Sequence, residues 1–146
     1  MKEKKKFLII NGPNLNLLGT REPEIYGALS LEQIIKHTET KLSGRDVELD
    51  WYQSNIEGEI VSKIQEAAGS GTINALVINP AAYSHTSIAI LDALKLLKCN
   101  VIEVHLSNTH AREDFRSTKI TAKASKSIME GFGKDTYFLA IYSQLI

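Results

Sequence analysis

Residues 75–80 read Ala75-Leu76-Val77-Ile78-Asn79-Pro80, an unbroken apolar run closed by an amide and a proline. A strand that is apolar at every position has no solvent face, the pattern of a parallel strand covered by helices on both sides. Pro80 has no N–H and restrains the residue before it, so the strand ends there. Outward from this run, apolar stretches at Phe7 to Asn11 and Val101 to Leu106 alternate with amphipathic segments, as in repeated βα units. Val47 to Tyr52 alternates Val47, Leu49 and Trp51 with polar residues, which places it nearer an edge. A weaker fifth unit has a strand at Ser127 to Glu130, a turn at Gly131-Phe132-Gly133 and a helix over Asp135 to Leu145.

The connecting segments carry helix signals. Ser30 with Gln33 is a capping box, followed by Leu31, Ile34 and Ile35 on an inner face and by a terminating Gly44. Asn55 opens the next helix, which turns Ile60, Val61, Ile64, Ala67 and Ala68 inward and stops at Gly69-Ser70-Gly71. A third helix, Ser87 to Leu97, repeats Ile88, Leu91, Leu94 and Leu97 at core spacing. A helical turn is also expected around Arg112 to Phe115. The predicted fold is a flavodoxin-like, doubly wound α/β structure: a five-stranded parallel sheet with helices on both faces. In such sheets ligands sit beyond the carboxyl ends of the strands.

The 146 residues, 43% of them hydrophobic, suit a single domain over 1–146 with a substantial core. Lys plus Arg and Asp plus Glu are 17 each, so no overall field favours nucleic acid or an anionic membrane. A small-molecule substrate fits better. Lys2, Lys4, Lys5 and Lys6 are expected to form a solvated, frayed terminus. There is no apolar signal-peptide run and no stretch near the ~20 apolar residues of a membrane span, so a cytoplasmic protein is expected. Cys99, beside Leu96, Leu97 and Val101, reads as a buried, inert thiol.

Polar groups collect where the strongest strands end. After the first strand, Asn11 to Leu29 is far longer than the roughly 2–6 residues of an ordinary βα link, and it carries Asn14, Arg21 and Tyr26 between Gly19 and Gly27 as hinges. The third strand leads to Asn79, Ser84 and His85, and the fourth contains Glu103 and His105. Residues two apart on a strand face the same way, so Glu103 can hold one imidazole nitrogen of His105 protonated and prepare it as a general acid. An ion pair that merely bridges to a helix is the rival reading. A metal site built from Glu103, His105, His85 and His110 is another, although nothing in the spacing sets a coordination geometry. His37 reads as surface or packing only. Neither glycine pattern has phosphate-loop or dinucleotide spacing. A phenol titrates near pH 10, so a tyrosinate base at neutral pH needs about 4 kcal/mol of preferential stabilisation, for which Arg21 and Arg112 are the available cations. The bland alternative is a tyrosine that packs the loop down.

Taken together, Asn11-Gly12-Pro13-Asn14-Leu15, Arg21-Glu22-Pro23 with Tyr26-Gly27, Asn79-Pro80 with Ser84-His85-Thr86-Ser87, Ile102 to Asn108, and His110-Ala111-Arg112-Glu113 with Phe115-Arg116 resemble the type II 3-dehydroquinate dehydratase family. The resemblance runs from Phe7 to the last helix. It implies a cofactor-free, metal-free hydro-lyase (EC 4.2.1.10) of the shikimate route to chorismate and the aromatic amino acids, converting 3-dehydroquinate to 3-dehydroshikimate. It also implies catalytic roles for Tyr26, His105, Arg21, Asn14 and Glu103. Substrate binding would fall to Asn79, His85, Leu106, Ser107, Arg112 and Arg116, with Asp92 reaching a neighbouring subunit's site. A dodecamer of four trimers is the assembly it implies. Tyr83 would be a pocket wall, and Ala81 departs from the family's usual glycine. The rival classes are a flavodoxin-like module that only binds an anion or nucleotide, and a serine hydrolase, for which the G-x-S-x-G elbow is missing.

Overall fold

The computed structural model describes residues 2–20 and 22–146. Five strands, β1 (Lys5–Asn11), β2 (Val47–Gln53), β3 (Ala75–Asn79), β4 (Asn100–His105) and β5 (Ser127–Glu130), form one parallel sheet in the order β2-β1-β3-β4-β5. This is the flavodoxin-like order predicted, with β2 at an edge. β1 begins earlier than the apolar run suggests, because Lys5 and Lys6 pair with Val47 and Glu48. Ladder bonding orders these two lysines, so that part of the expected frayed terminus is strand.

Helices α2 (Leu31–Lys41) and α5 (Thr136–Ser143) cover one face, and α3 (Glu57–Ser70) and α4 (Ile88–Leu94) the other. Alternate residues of each strand feed two cores. Phe7, Ile9, Val77, Ile102 and Val104 pack with Ile34, Tyr137, Ala140 and Ile141. Leu8, Ile10, Leu76 and Ile78 pack with Ile60, Ile64, Ile90 and Leu94. Each fully buried aliphatic side chain contributes roughly 1.5–3 kcal/mol relative to exposure.

The Ser30–Gln33 capping box is present with both of its bonds. Asn55 is not a cap. Ser54 Oγ instead accepts from Ile56 N–H at 2.9 Å, and Asn55 Oδ1 accepts from Asn14 N–H and Gln53 Nε2, so α3 starts at Glu57 and Asn55 tethers the loop after β1. The predicted face of α4 also needs correction: Ile88 is 61% exposed, and the buried residues are Ile90, Leu91, Ala93 and Leu94. The helix is rotated toward α3 and begins after its Ser87 cap. His37 does more than pack, since its Nε2 lies 2.6 Å from Asp135 Oδ1 and ties α2 to the approach of α5. This bond holds the Asp135 carboxyl below its usual range.

β1 and β3 flank the point where the strand order reverses, and their last residues, Asn11 and Asn79, lie in register. The backbones leaving them run close together: a Cβ on Gly12 would come within 2.5 Å of the Pro80 carbonyl oxygen. The connection from β1 to α2 is not a structureless loop. It holds a 3-10 turn at Leu15–Leu17 and a short helix, α1 (Pro23–Tyr26). No described helix is long and apolar enough to cross a membrane.

Candidate active site

A cleft of about 200 Å³ opens over the carboxyl ends of β1, β3 and β4. From the loop after β1 come Asn14, Leu15, Leu18 and Tyr26; from the end of β3 come Asn79, Ala81 and His85; and from β4 and the segment beyond it come His105, Leu106, Ser107, Thr109, Arg112 and Arg116. Three strand ends separated in sequence thus converge on one concavity, as the topology predicts.

Along β4, Val104 and Ile102 turn to one core while Glu103 and His105 share the opposite side. Glu103 is 0% exposed, and its Oε2 accepts from His105 Nε2 at 2.8 Å. Its other oxygen accepts from the Thr121 hydroxyl. The carboxylate therefore fixes which imidazole nitrogen carries the proton, in a ring that lines the cleft. A buried carboxylate with both oxygens bonded is a compensated charge.

Tyr26 is half-buried at the end of α1, whose last turn is closed by Tyr26 N–H to Glu22 and Gly27 N–H to Pro23. The Arg112 guanidinium lies 5.0 Å from the Tyr26 ring centroid. Arg112 Nη1 is 3.4 Å from Ser107 Oγ, and its buried Nε finds no hydrogen-bond partner among the described residues. A buried guanidinium donor without a partner suits an anionic or oxygen-rich ligand. Arg21 lies outside the described residues. Asn14, which lines the cleft, holds a left-handed backbone (φ 68°).

Asn79 is almost fully buried, with Oδ1 accepting from Ala81 N–H at 3.1 Å. Ala81 itself has φ 53°, a conformation that disfavours any side chain and accounts for a glycine preference there. His85 Nδ1 is 2.8 Å from the Thr118 carbonyl. A carbonyl only accepts, so Nδ1 carries the hydrogen. Arg116 Nε pairs with Glu113 at 3.1 Å. Hydrogen bonds from the Glu113 backbone and then from Arg116 hold the Glu113 carboxyl below its usual range.

The segment carrying both arginines is clasped to β5 by Glu130. Its carboxylate accepts from Thr109 Oγ1 at 2.9 Å and meets His110 Nδ1 at 3.0 Å and Lys119 Nζ at 3.4 Å. Burial pushes the Glu130 carboxyl up, but these partners outweigh it and hold it below the usual range.

Several expectations do not survive. The residues of the rival metal reading are each engaged elsewhere, Glu103 with His105, His110 with Glu130 and His85 with Thr118, and no group of three His, Cys, Asp or Glu among the described residues is placed to hold a metal. Tyr83 is not a pocket wall, because its hydroxyl turns away to the Asn55 carbonyl at 2.8 Å. Asp92, which the resemblance assigns to a neighbouring subunit's site, is exposed on α4, outside this chain's own cleft. Cys99 is only half-buried, although burial still raises its pKa. Leu15, Leu18 and Thr109 are walls that sequence reasoning passed over; two leucines three apart in a polar loop were the available signal. Nothing in the sequence marks Thr121 as the partner of Glu103.

The sequence profile of the family described as dehydroquinase class II matches residues 5–145. A 3-dehydroquinate dehydratase of Aliarcobacter butzleri is 52% identical over 136 residues, covering 93% of this chain and 82% of the relative. One from Clostridium botulinum strain Hall is 52% identical over 134 residues, covering 92% and 90%. The crystal structure of a type II dehydroquinase from Butyrivibrio crossotus superposes with a TM-score of 0.93 at 42% identity, covering 98% of this chain and 99% of that one. With a profile match over nearly its whole length and relatives more than half identical, the chain belongs to the class II dehydroquinase family.

Proposed function

We propose that the protein is a 3-dehydroquinate dehydratase that acts through an enolate, with residues 1–146 as one catalytic domain in the shikimate route. The observation that carries the mechanism is the placing of Tyr26 and the Glu103-oriented His105 on one cleft, so that a base and an acid address the same small molecule. Tyr26, as tyrosinate, removes a proton from the carbon next to the substrate ketone. Arg112, 5.0 Å from the ring, places positive charge beside that anion, and Arg21 adds a second by family resemblance. The electron pair moves to the ketone oxygen, giving an enolate that Asn14 stabilises through a bound water. The enolate then collapses to the conjugated enone as His105 protonates the departing hydroxyl, which leaves as water. His105 recovers its proton and Tyr26 gives one up as the site resets.

In the same reading the backbone around Leu106 and Ser107 holds the substrate carboxylate, while Asn79, His85 and Arg116 hold its hydroxyls. Four trimers assemble into a dodecamer in which Asp92 reaches a neighbouring site. No cofactor or metal is required. Purified protein mixed with 3-dehydroquinate should develop the ultraviolet absorbance of the enone product. A folded protein that produces none refutes the activity. Borohydride added with substrate should not inactivate it; inactivation would indicate a lysine Schiff base and displace Tyr26. Sedimentation at any mass other than twelve chains would remove the dodecamer.

A further inference from the structure

Tyr137 lies near the start of α5, is 0% exposed, and lines no part of the cleft. Its hydroxyl stands between the two asparagines that end β1 and β3. The oxygen is 3.0 Å from Asn79 Nδ2, and its proton is donated to Asn11 Oδ1. Backbone groups at both ends dictate the polarity of this relay. Ala81 N–H can only donate, so the Asn79 atom facing it is the amide oxygen, and the atom facing Tyr137 is the NH₂ group. The Tyr52 carbonyl, 3.5 Å from Asn11 Nδ2, can only accept, which turns Asn11 Oδ1 toward the phenol. A phenol has one proton. With that proton on Asn11, Tyr137 must accept from Asn79. Burial pushes the phenol's pKa up, only partly opposed by the Asn79 bond, so the proton is retained at neutral pH.

We propose that Tyr137 is a positioning residue for the cleft: it accepts one N–H of Asn79 and so presents the second as a donor to a substrate oxygen. The orientation that Ala81 N–H sets is thereby held from the core as well, by a side chain that lines no part of the cleft. Asn79 cannot turn its oxygen outward without breaking its bonds to both Ala81 and Tyr137. The substrate half of this inference rests on the dehydratase reading; the relay itself does not.

Tyr137→Phe removes the oxygen and keeps the ring. KM for 3-dehydroquinate should rise roughly 10-fold, the scale of one misplaced hydrogen bond, with kcat changed by less than about 3-fold. In an Asn79→Ala background the same substitution should add no further loss. A wild-type KM in Tyr137→Phe, or losses that multiply fully in the double variant, would overturn the proposal. Should Tyr137→Phe fail to fold, Asn11→Leu is the second route: it leaves Tyr137 and Asn79 in place but removes the acceptor for the phenol proton, and must raise KM in the same way. A readout free of substrate is the Asn79 side-chain amide in ¹⁵N-asparagine-labelled protein. Its proton exchange should quicken at least about 10-fold in Tyr137→Phe, as expected when a buried bond is lost. An unchanged rate defeats the positioning role even if wild-type protein turns over no 3-dehydroquinate, an outcome that would sink the activity alone.

Discussion

The two walls of the cleft are held in different ways. On the β4 wall, polar groups are locked by other polar side chains: Glu103 by His105 and Thr121, and Glu130 by Thr109, His110 and Lys119. The wall formed by the connection after β1 is held at its base by Asn14 N–H to Asn55 Oδ1 and Gln53 Nε2 to the Gly12 carbonyl, and beyond that by two buried leucines, Leu15 and Leu18, and short-range backbone bonds such as Leu17 N–H to Asn14 and Ile25 N–H to Glu22. Asn14 and Glu22 both take left-handed backbone there. The proposed acid is thus embedded in the stability of the domain, whereas the proposed base sits on the short helix α1, where Tyr26 packs at the margin of the core and meets Arg112. Changes on the β4 wall should affect stability and turnover together; changes at the tip of the other should separate them.

Tyr26→Phe gives the largest effect. Turnover should fall by about 10²–10⁴-fold, the usual contribution of a general base, while the melting temperature moves little because the ring is retained. Substantial remaining turnover, measured by enone absorbance, would take the base role from Tyr26. Glu103→Ala tests the opposite wall. It leaves His105 and the Thr121 hydroxyl without their buried partner and should cost about 3 kcal/mol of stability in denaturant titrations, together with activity. Unchanged stability would end the distinction between the walls.

A smaller effect is expected at the turn after β3. Ala81→Gly relieves a left-handed alanine and should raise stability by about 1 kcal/mol, with the gain offset if the more flexible unfolded chain outweighs the relief. Lower stability in the variant would show that the left-handed alanine costs less than the added freedom of the unfolded glycine chain. The smallest effect concerns acid. Because the folded Glu130 carboxyl titrates below its unfolded value, its contribution is present above the ordinary carboxylate range near pH 4.3 and is lost as pH falls through the folded value. Melting temperatures of Glu130→Gln should therefore decline less steeply than those of the parent between about pH 5 and pH 3. Parallel declines would remove Glu130 as the clasp on the arginine segment.

The more legible features were local ones. The apolar runs marked the strands, Ser30 and Gln33 marked a cap, and the two-residue spacing of Glu103 and His105 placed both on one face of β4. The misread features depended on partners distant along the chain. Asn55 resembles a cap until Asn14 is seen to claim its side chain, and Ile88 resembles a core residue until α4 is seen to be rotated toward α3. Tyr83 has a family-pattern position, yet its hydroxyl leaves the cleft for Asn55.

By itself the sequence determined the five βα units and which strand ends carry reactive groups, because backbone periodicity and burial are written in neighbouring residues. Only the tertiary structure decided that Thr121 closes the Glu103 carboxylate, that Arg112 lies over Tyr26, and that Tyr137 holds the Asn79 amide from the core. Those contacts join residues 18, 86 and 58 positions apart. A hydrogen bond or a charge over a ring is decided at distances of a few ångströms, and only the packed sheet and its helices set such distances between remote segments.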